Sequence, residues 1–192
     1  MLDNIQIILW SITYLEIVYY GIKYYRERLM LMPLLANILD FSWEINALIQ
    51  SNAFWGHIIW LTLDVFIVIL NVYNIRKNKN RLLYCLLIIA FTIVLRLIFV
   101  IPEVDGMLIS VFAIDLIMAF DFVVNAKKIS VHGKIPIAIT KLLGDLFAWF
   151  AYSDSAYVNV IGIIVFLLNL YYLAKCFDLS AHAYENKCQR RE

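Results

Sequence analysis

The sequence predicts an all-α membrane protein, a bundle of seven transmembrane helices with the N-terminus outside and the C-terminus in the cytosol. Of its 192 residues, 64% are apolar and 16% are charged, and the mean hydropathy is +0.80, values outside the range of soluble domains. Apolar segments close to the roughly 20 residues that cross a bilayer recur along the chain. Among the loops between these segments, only alternate ones contain basic residues.

Seven apolar segments separated by short connections define the predicted helices. The first segment lacks the basic region and cleavage site of a signal peptide, so we expect it to be retained. Short connections favour antiparallel neighbours in one transmembrane domain, 1–177, followed by a polar cytosolic tail, 178–192. The predicted segments are 6–26, 30–50, 57–76, 81–101, 106–126, 135–153 and 156–177.

The orientation follows from the basic residues of the loops. The second, fourth and sixth loops contain no Lys or Arg, whereas the other three loops and the tail contain several. Because basic loops stay in the cytosol, the pattern predicts a multi-pass protein of the plasma or inner membrane. The basic residues are Lys23, Arg26, Arg28, Arg76, Lys77, Lys79, Arg81, Lys127, Lys128, Lys134, Lys175, Lys187, Arg190 and Arg191.

The second segment carries two acids, Asp40 and Glu44, with Trp43 beside the second. Four residues make about one helical turn, so both carboxyl groups are predicted on one helix face. Each acid inside a bilayer costs about 2.5–3.5 kcal/mol on insertion scales, which indicates a functional role. Two acids at low dielectric resist ionising together, so at least one is expected to keep its proton at neutral pH.

Other intramembrane charges are predicted at a similar depth, in the outer half of the membrane. If they faced lipid, the total cost would be on the order of 20 kcal/mol, so they are expected to face inward. The sequence therefore predicts a polar cavity in the outer half, with tryptophans inside the segments as candidate lining residues. These charges are Glu16, Asp64, Arg96, Asp115 and Asp145, and the tryptophans are Trp10, Trp43 and Trp149.

A structural role is the simpler interpretation for several of these charges. Arg96 could pair with Glu44 or Asp64, and Asp64 could instead hydrogen-bond polar groups of a neighbouring helix. Lys141 and Asp145 lie one turn apart and could neutralise each other. A second polar pair, Asp121 and Asn125, is expected in a solvated mouth at the cytosolic end.

Signals for other chemistry are missing from the sequence. It has no glycine-rich phosphate loop, no metal-ligand spacing, no nucleophile elbow, and no central lysine in the seventh segment for a retinal Schiff base. We expect no cofactor, no metal and no nucleic-acid partner; the histidines are expected in loops or the tail, and no disulfide is expected. These residues are His57, His132, His182, Cys85, Cys176 and Cys188.

Several short motifs carry a family resemblance. They are Trp10-x-x-x-Tyr14, Gly21-Ile22-Lys23, Met32-Pro33-Leu34, Ser42-Trp43-Glu44, Trp60-Leu61-Thr62-Leu63-Asp64, Gly133-Lys134-Ile135-Pro136 and Lys141-Leu142-Leu143-Gly144. Together they resemble the integral-membrane terpene cyclases of meroterpenoid biosynthesis, a small seven-helix family with an Asn-x-x-Trp-Glu signature. The resemblance implies metal-free cyclisation, in which a carboxylic acid protonates an epoxide or alkene of a prenylated, lipid-soluble substrate.

The resemblance makes Glu44 the candidate acid. From the buried charges of this chain we expect Asp40 to assist Glu44, and Asp64 and Asp145 to be orienting or proton-supplying groups. This chain departs from the family pattern at three positions. The signature asparagine is Asp40, the second family acid, in the last helix, is Asn169, and a threonine-like position is Asp145. The candidate substrate-binding residues are Trp43, Trp10, Trp149, Asn169, Arg96, Glu16 and Asp115.

Two other functions remain open at this point. A ring of membrane carboxylates could relay protons in a proton-coupled transporter of a small solute. The sequence shows neither repeat symmetry nor the paired broken helices that many transporters have. Alternatively, the buried polar groups could hold helices together in a non-catalytic membrane scaffold.

Overall fold

A computed structural model describes residues 2–27, 30–50, 55–99, 106–129 and 133–189. These residues form seven α-helices and one 3₁₀-helix, Tyr25–Glu27, and their only β-type pairing is an isolated bridge between Met30 and Ile129. The predicted all-α bundle is confirmed. The helices are α1 (Leu2–Lys23), α2 (Leu34–Gln50), α3 (Trp55–Asn74), α4 (Asn78–Phe99), α5 (Gly106–Asn125), α6 (Lys134–Ala151) and α7 (Ala156–Gln189).

Six of the helices close into a ring. Around it, α1 packs on α3, α3 on α2, α2 on α5, α5 on α7, α7 on α6, and α6 again on α1. Helix α4 lies outside this ring, against α2 and α5. The six helices of the ring therefore share one central axis, around which their inner faces meet.

Five helices are long and apolar enough to cross a membrane, namely α1, α3, α4, α5 and α7. The chain is thus a membrane protein by the length and composition of its helices. Helix α2 has only 17 residues, and α6 carries three charged residues, Lys134, Lys141 and Asp145. All three charged side chains of α6 are buried against protein, which removes the cost of presenting them to lipid.

The basic loops lie together at one end of the bundle. The bridge between Met30 and Ile129 joins the first loop to the fifth, and Met30 also shares a cavity wall with Arg76 and Lys77 of the third. Helix α7 continues through the polar segment that follows residue 177 and ends at Gln189. The side of the membrane that this end faces stays a prediction of the positive-inside rule.

Hydrogen bonds between α2 and α4 fix the rotation of α2. Ser42 Oγ donates to Ile88 O at 3.1 Å, and Asn46 Nδ2 donates to Thr92 O at 2.9 Å. Asp40 and Glu44 each lie two residues from Ser42, about 200° around the helix, and hence on the opposite side. The outer helix α4 therefore turns both acids toward the inside of the ring.

Asp121 of α5 caps the start of α2. Its Oδ2 accepts a hydrogen bond from the backbone N–H of Ala36 at 3.0 Å, and its Oδ1 accepts one from Asn125 Nδ2 at 2.6 Å. The first N–H groups of a helix lack partners within the helix, and the helix dipole favours a negative charge there. The half-buried Asp121 thus joins α5 to α2. The sequence predicts a solvated site for Asp121 and Asn125, and the structure gives Asp121 a structural role as well.

Replacing Asp121 by alanine is expected to lower the free energy of unfolding by about 0.5–2 kcal/mol, the usual cost of losing a helix cap. Chemical unfolding in detergent micelles, followed by circular dichroism, measures the change. Asp154→Ala is the matched control, because Asp154 is exposed. Equal stability of the two variants would contradict the capping role.

Candidate functional site

A cavity of about 430 Å³ lies between α1, α2, α3, α5 and α6, in the half of the bundle that contains the start of α1. Its volume falls within the range of about 300–1,000 Å³ typical of small-molecule sites. Its walls combine carboxyl groups with aromatic rings. The polar and aromatic lining residues are Gln6, Trp10, Tyr14, Asp40, Trp43, Glu44, His57, Trp60, Phe112, Asp115 and Tyr152.

Three carboxyl groups line this cavity. Asp40 and Glu44 come from successive turns of α2, as their spacing predicts, and Asp115 comes from α5. The Tyr14 hydroxyl of α1 donates a hydrogen bond to Asp40 Oδ2. Asp40 therefore has a donor that orients one of its oxygens, while both acids of α2 remain on the cavity wall.

His57 pairs with Glu44. The His57 Nδ1 atom lies 3.0 Å from Glu44 Oε2, and both side chains are buried. The imidazole also contacts the rings of Trp43 and Trp60, with centroids 5.5 and 5.7 Å away. The expectation that His57 lies in a loop is wrong, because α3 begins at Trp55 and includes it.

Three buried tryptophans form the aromatic wall. The Trp43 Nε1 donates to Ser110 Oγ at 3.0 Å, and Trp60 Nε1 donates to Ser11 Oγ at 3.2 Å. Trp10 packs on Tyr14 with ring centroids 5.5 Å apart. The indole N–H groups of Trp43 and Trp60 thus have hydrogen-bond partners in the protein. Their rings can therefore line the cavity without leaving an unpaired donor in it.

Trp149 does not belong to this wall. Its Nε1 donates to Asn159 Oδ1 at 2.9 Å, and its ring packs over Gly162, where an added Cβ would lie 2.4 Å from Trp149 Cγ. The side chain therefore joins α6 to α7 instead of lining the cavity. Its predicted contact with a substrate has no basis in this placement.

Asp64 lies beside the cavity without lining it. Its side chain is fully buried, and neither carboxyl oxygen has a hydrogen-bond partner. It is close enough to Asp40 and Glu44 to interact with both electrostatically. A buried carboxyl group without partners is costly as an anion, so Asp64 is better suited to holding a proton than to orienting a neighbour.

Lys141, Asp145 and Asn169 form a separate buried cluster. Lys141 Nζ lies 2.6 Å from Asp145 Oδ2, and Asn169 Nδ2 donates to the same oxygen at 2.6 Å. The mutual neutralisation of Lys141 and Asp145 is confirmed. The ammonium group also lies 5.1 Å from the centroid of the Trp10 ring, so the cluster supports the cavity wall from behind.

Arg96 and Glu16 lie outside the cavity as well. Arg96 belongs to the outer helix α4 and is only partly buried. Because Glu44 pairs with His57 and Asp64 accepts no hydrogen bond, the expected ion pair of Arg96 with either acid is not formed. Glu16 instead accepts a hydrogen bond from Thr140 Oγ1 at 3.0 Å, where α1 meets α6.

Within the described residues, no group of three or more His, Cys, Asp or Glu side chains could hold a metal ion. No family model, curated protein or solved structure matches this chain. The chemistry of the site therefore follows from its own residues, which place acids and aromatic rings around one cavity.

Proposed function

We propose that this protein is a metal-free membrane cyclase resembling the terpene cyclases, which starts the cyclisation of a prenylated, lipid-soluble substrate by protonating it. The observation that carries the proposal is the cavity in which Asp40 and Glu44 face Trp10, Trp43 and Trp60. Apolar walls suit a prenyl chain, and the carboxyl groups supply the only chemistry that the reaction needs at its start.

Glu44 is the proposed proton donor. Its O–H proton passes to the oxygen of a terminal epoxide, or to a terminal alkene carbon, and a C–O or C=C π bond breaks to leave a tertiary carbocation. A neighbouring alkene then supplies its electron pair to form a ring C–C bond. The last cation loses a proton to a carboxylate, so the product is an isomer of the substrate and the acid is restored.

The aromatic wall contributes by stabilising positive charge. The faces of Trp43 and Trp60 attract a cation by about 0.5–2 kcal/mol each when water is excluded. Trp10 is placed differently, because Lys141 already lies against its ring. The proposed reaction also requires that water be kept from the carbocation, since water would quench it early.

His57 is the proposed positioning residue for Glu44. With its proton on Nδ1, it donates to Oε2 and stabilises the carboxylate that remains after proton transfer. His57→Phe keeps a ring between Trp43 and Trp60 but removes the donor, so kcat is expected to fall about 10- to 100-fold with little change in KM. His57→Asn, which keeps an N–H in a similar place, is expected to retain more activity. Full activity in His57→Phe, together with a loss in His57→Asn, would leave His57 a packing role only.

The assay is incubation of the purified full chain with prenylated quinone-like compounds and their terminal epoxides, followed by mass spectrometry and NMR of the products. A cyclic isomer made by the wild type supports the proposal. Substrate-dependent proton uptake by vesicles, without any new product, would favour the proton-coupled transporter. In both cases the protein is proposed to be multi-pass in the plasma or inner membrane, with the cavity in the outer half.

A further inference from the structure

A second cavity, of about 310 Å³, lies at the opposite end of the bundle from the acid-lined one. It is formed where α2 begins, α3 ends and α4 begins. Two candidate membrane spans, Trp55–Asn74 and Asn78–Phe99, end beside it. The cavity therefore sits at the level where the hydrocarbon part of a bilayer gives way to the headgroups.

One wall of this cavity is basic. Arg76 and Lys77 line it together with the amide of Asn80. The sequence has no acidic residue between Asp64 and Glu103, so nothing in this stretch compensates the two charges. Within the described part of the chain, neither the Arg76 nor the Lys77 side chain takes part in a hydrogen bond or ion pair, whereas the Arg81 side chain donates to Ile75 O at 2.7 Å.

The other lining residues are apolar or carry amides. Met30, Leu34 and Ile75 are apolar and partly buried, and Asn71 and Asn74 carry amides. A cavity lined by two cations, three amides and three apolar side chains suits an amphiphile with an anionic head. Arg and Lys are the usual partners of phosphate oxygens, and basic pockets at helix ends bind phosphate-bearing lipid headgroups.

We infer that this cavity binds the phosphate group of an anionic membrane lipid through Arg76, Lys77 and Asn80, with the start of the lipid chain against Met30, Leu34 and Ile75. The position beside two span ends and the apolar wall favour a lipid over free inorganic phosphate. This inference is independent of the proposed cyclase activity, since it uses none of the same residues.

Native mass spectrometry of the full chain in neutral detergent micelles tests the inference. Micelles remove the surface potential of a bilayer, so retained lipid reports a site and not general attraction. The probes are phosphatidylglycerol and phosphatidylcholine with the same acyl chains. The wild type is expected to retain one phosphatidylglycerol, and Arg76→Gln/Lys77→Gln to bind it at least about 10-fold more weakly, because charge-assisted hydrogen bonds to the phosphate are lost.

Lys127→Gln/Lys128→Gln is the matched control. Both of its lysines are exposed at the same end of the bundle, yet they do not line the cavity. The control is expected to bind phosphatidylglycerol within about twofold of the wild type. Equal weakening by the two double substitutions, equal retention of phosphatidylcholine, or displacement by stoichiometric inorganic phosphate would each overturn the lipid site.

Discussion

Glu44→Gln is expected to lower the rate of product formation by a factor of about 10²–10⁴, the usual contribution of a positioned general acid. Glutamine has the size of glutamate but no transferable carboxyl proton. The expected loss is in kcat, because the side chain that contacts the substrate keeps its volume. Single-turnover assays of the variant, with the substrate that the wild-type protein converts, measure this loss directly.

Glu16→Gln is the matched control for this substitution. Glu16 is also an acid within a candidate membrane span, helix α1. It accepts its hydrogen bond from Thr140, outside the cavity. The amide oxygen of glutamine can still accept the threonine hydroxyl, so full activity is expected. An undiminished product with Glu44→Gln would remove Glu44 as the acid, and a parallel loss in Glu16→Gln would indicate damage to the bundle.

Lys141→Met is expected to lower the free energy of unfolding by about 3–5 kcal/mol, because it leaves the buried Asp145 without its partner. Both side chains are almost wholly inaccessible, at 0% and 4% exposure. An uncompensated charge at that depth cannot be solvated by water. Unfolding by sodium dodecyl sulfate, followed by circular dichroism, measures the loss.

The double variant Lys141→Met/Asp145→Asn removes both charges, and its asparagine can still accept the hydrogen bond from Asn169. It is expected to recover much of the stability lost in Lys141→Met. Lys128→Met, at an exposed position, is expected to change the free energy of unfolding by no more than about 0.5 kcal/mol. A double variant as unstable as the single one would mean that packing of the lysine stem, not charge pairing, dominates at this site.

The seven helices could be predicted from the sequence because apolar segment length and the loop charges are both local signals. The shared face of Asp40 and Glu44 could be predicted for the same reason, since it depends only on the helical repeat. Which helices are neighbours could be predicted only in part. The short connections predict that helices adjacent in sequence pack together, as α2 and α3 do, but α1 packs mainly on α3 and α6. The pairing of helices that are not adjacent in sequence depends on tertiary packing, such as the contacts of Ser42 and Asn46 with α4.

His57 shows where a usable signal was missed. His57, Trp60 and Asp64 lie at positions i, i+3 and i+7, so they share one face of α3 if the helix begins early enough. Placing the histidine in a loop separated it from that pattern. Trp149 and Arg96 are predicted at the cavity because of their depth in the membrane, and neither lines it. Depth does not determine the direction in which a side chain points.

Two of the three positions at which this chain departs from the terpene-cyclase pattern that the resemblance implies, Asn169 and Asp145, are neighbours in space. Asn169 stands where the family has an acid in its last helix, and Asp145 stands at a threonine-like position. The two side chains are joined by a 2.6 Å hydrogen bond. The carboxyl group of this cluster is on α6, where it is held by Lys141. The cluster contacts the cavity wall through Trp10.

The buried charges of α6 have a consequence for synthesis of the protein. An isolated α6 would expose Lys141 and Asp145 to lipid, each at a cost of about 2.5–3.5 kcal/mol near a helix centre. Asn169, which shares the Asp145 carboxylate with the lysine, is on α7 and leaves the ribosome later. Helix α6 is therefore poorly suited to enter the bilayer alone. We expect it to insert together with α7 as a helical hairpin, so that the ring closes only after α7 has been synthesised.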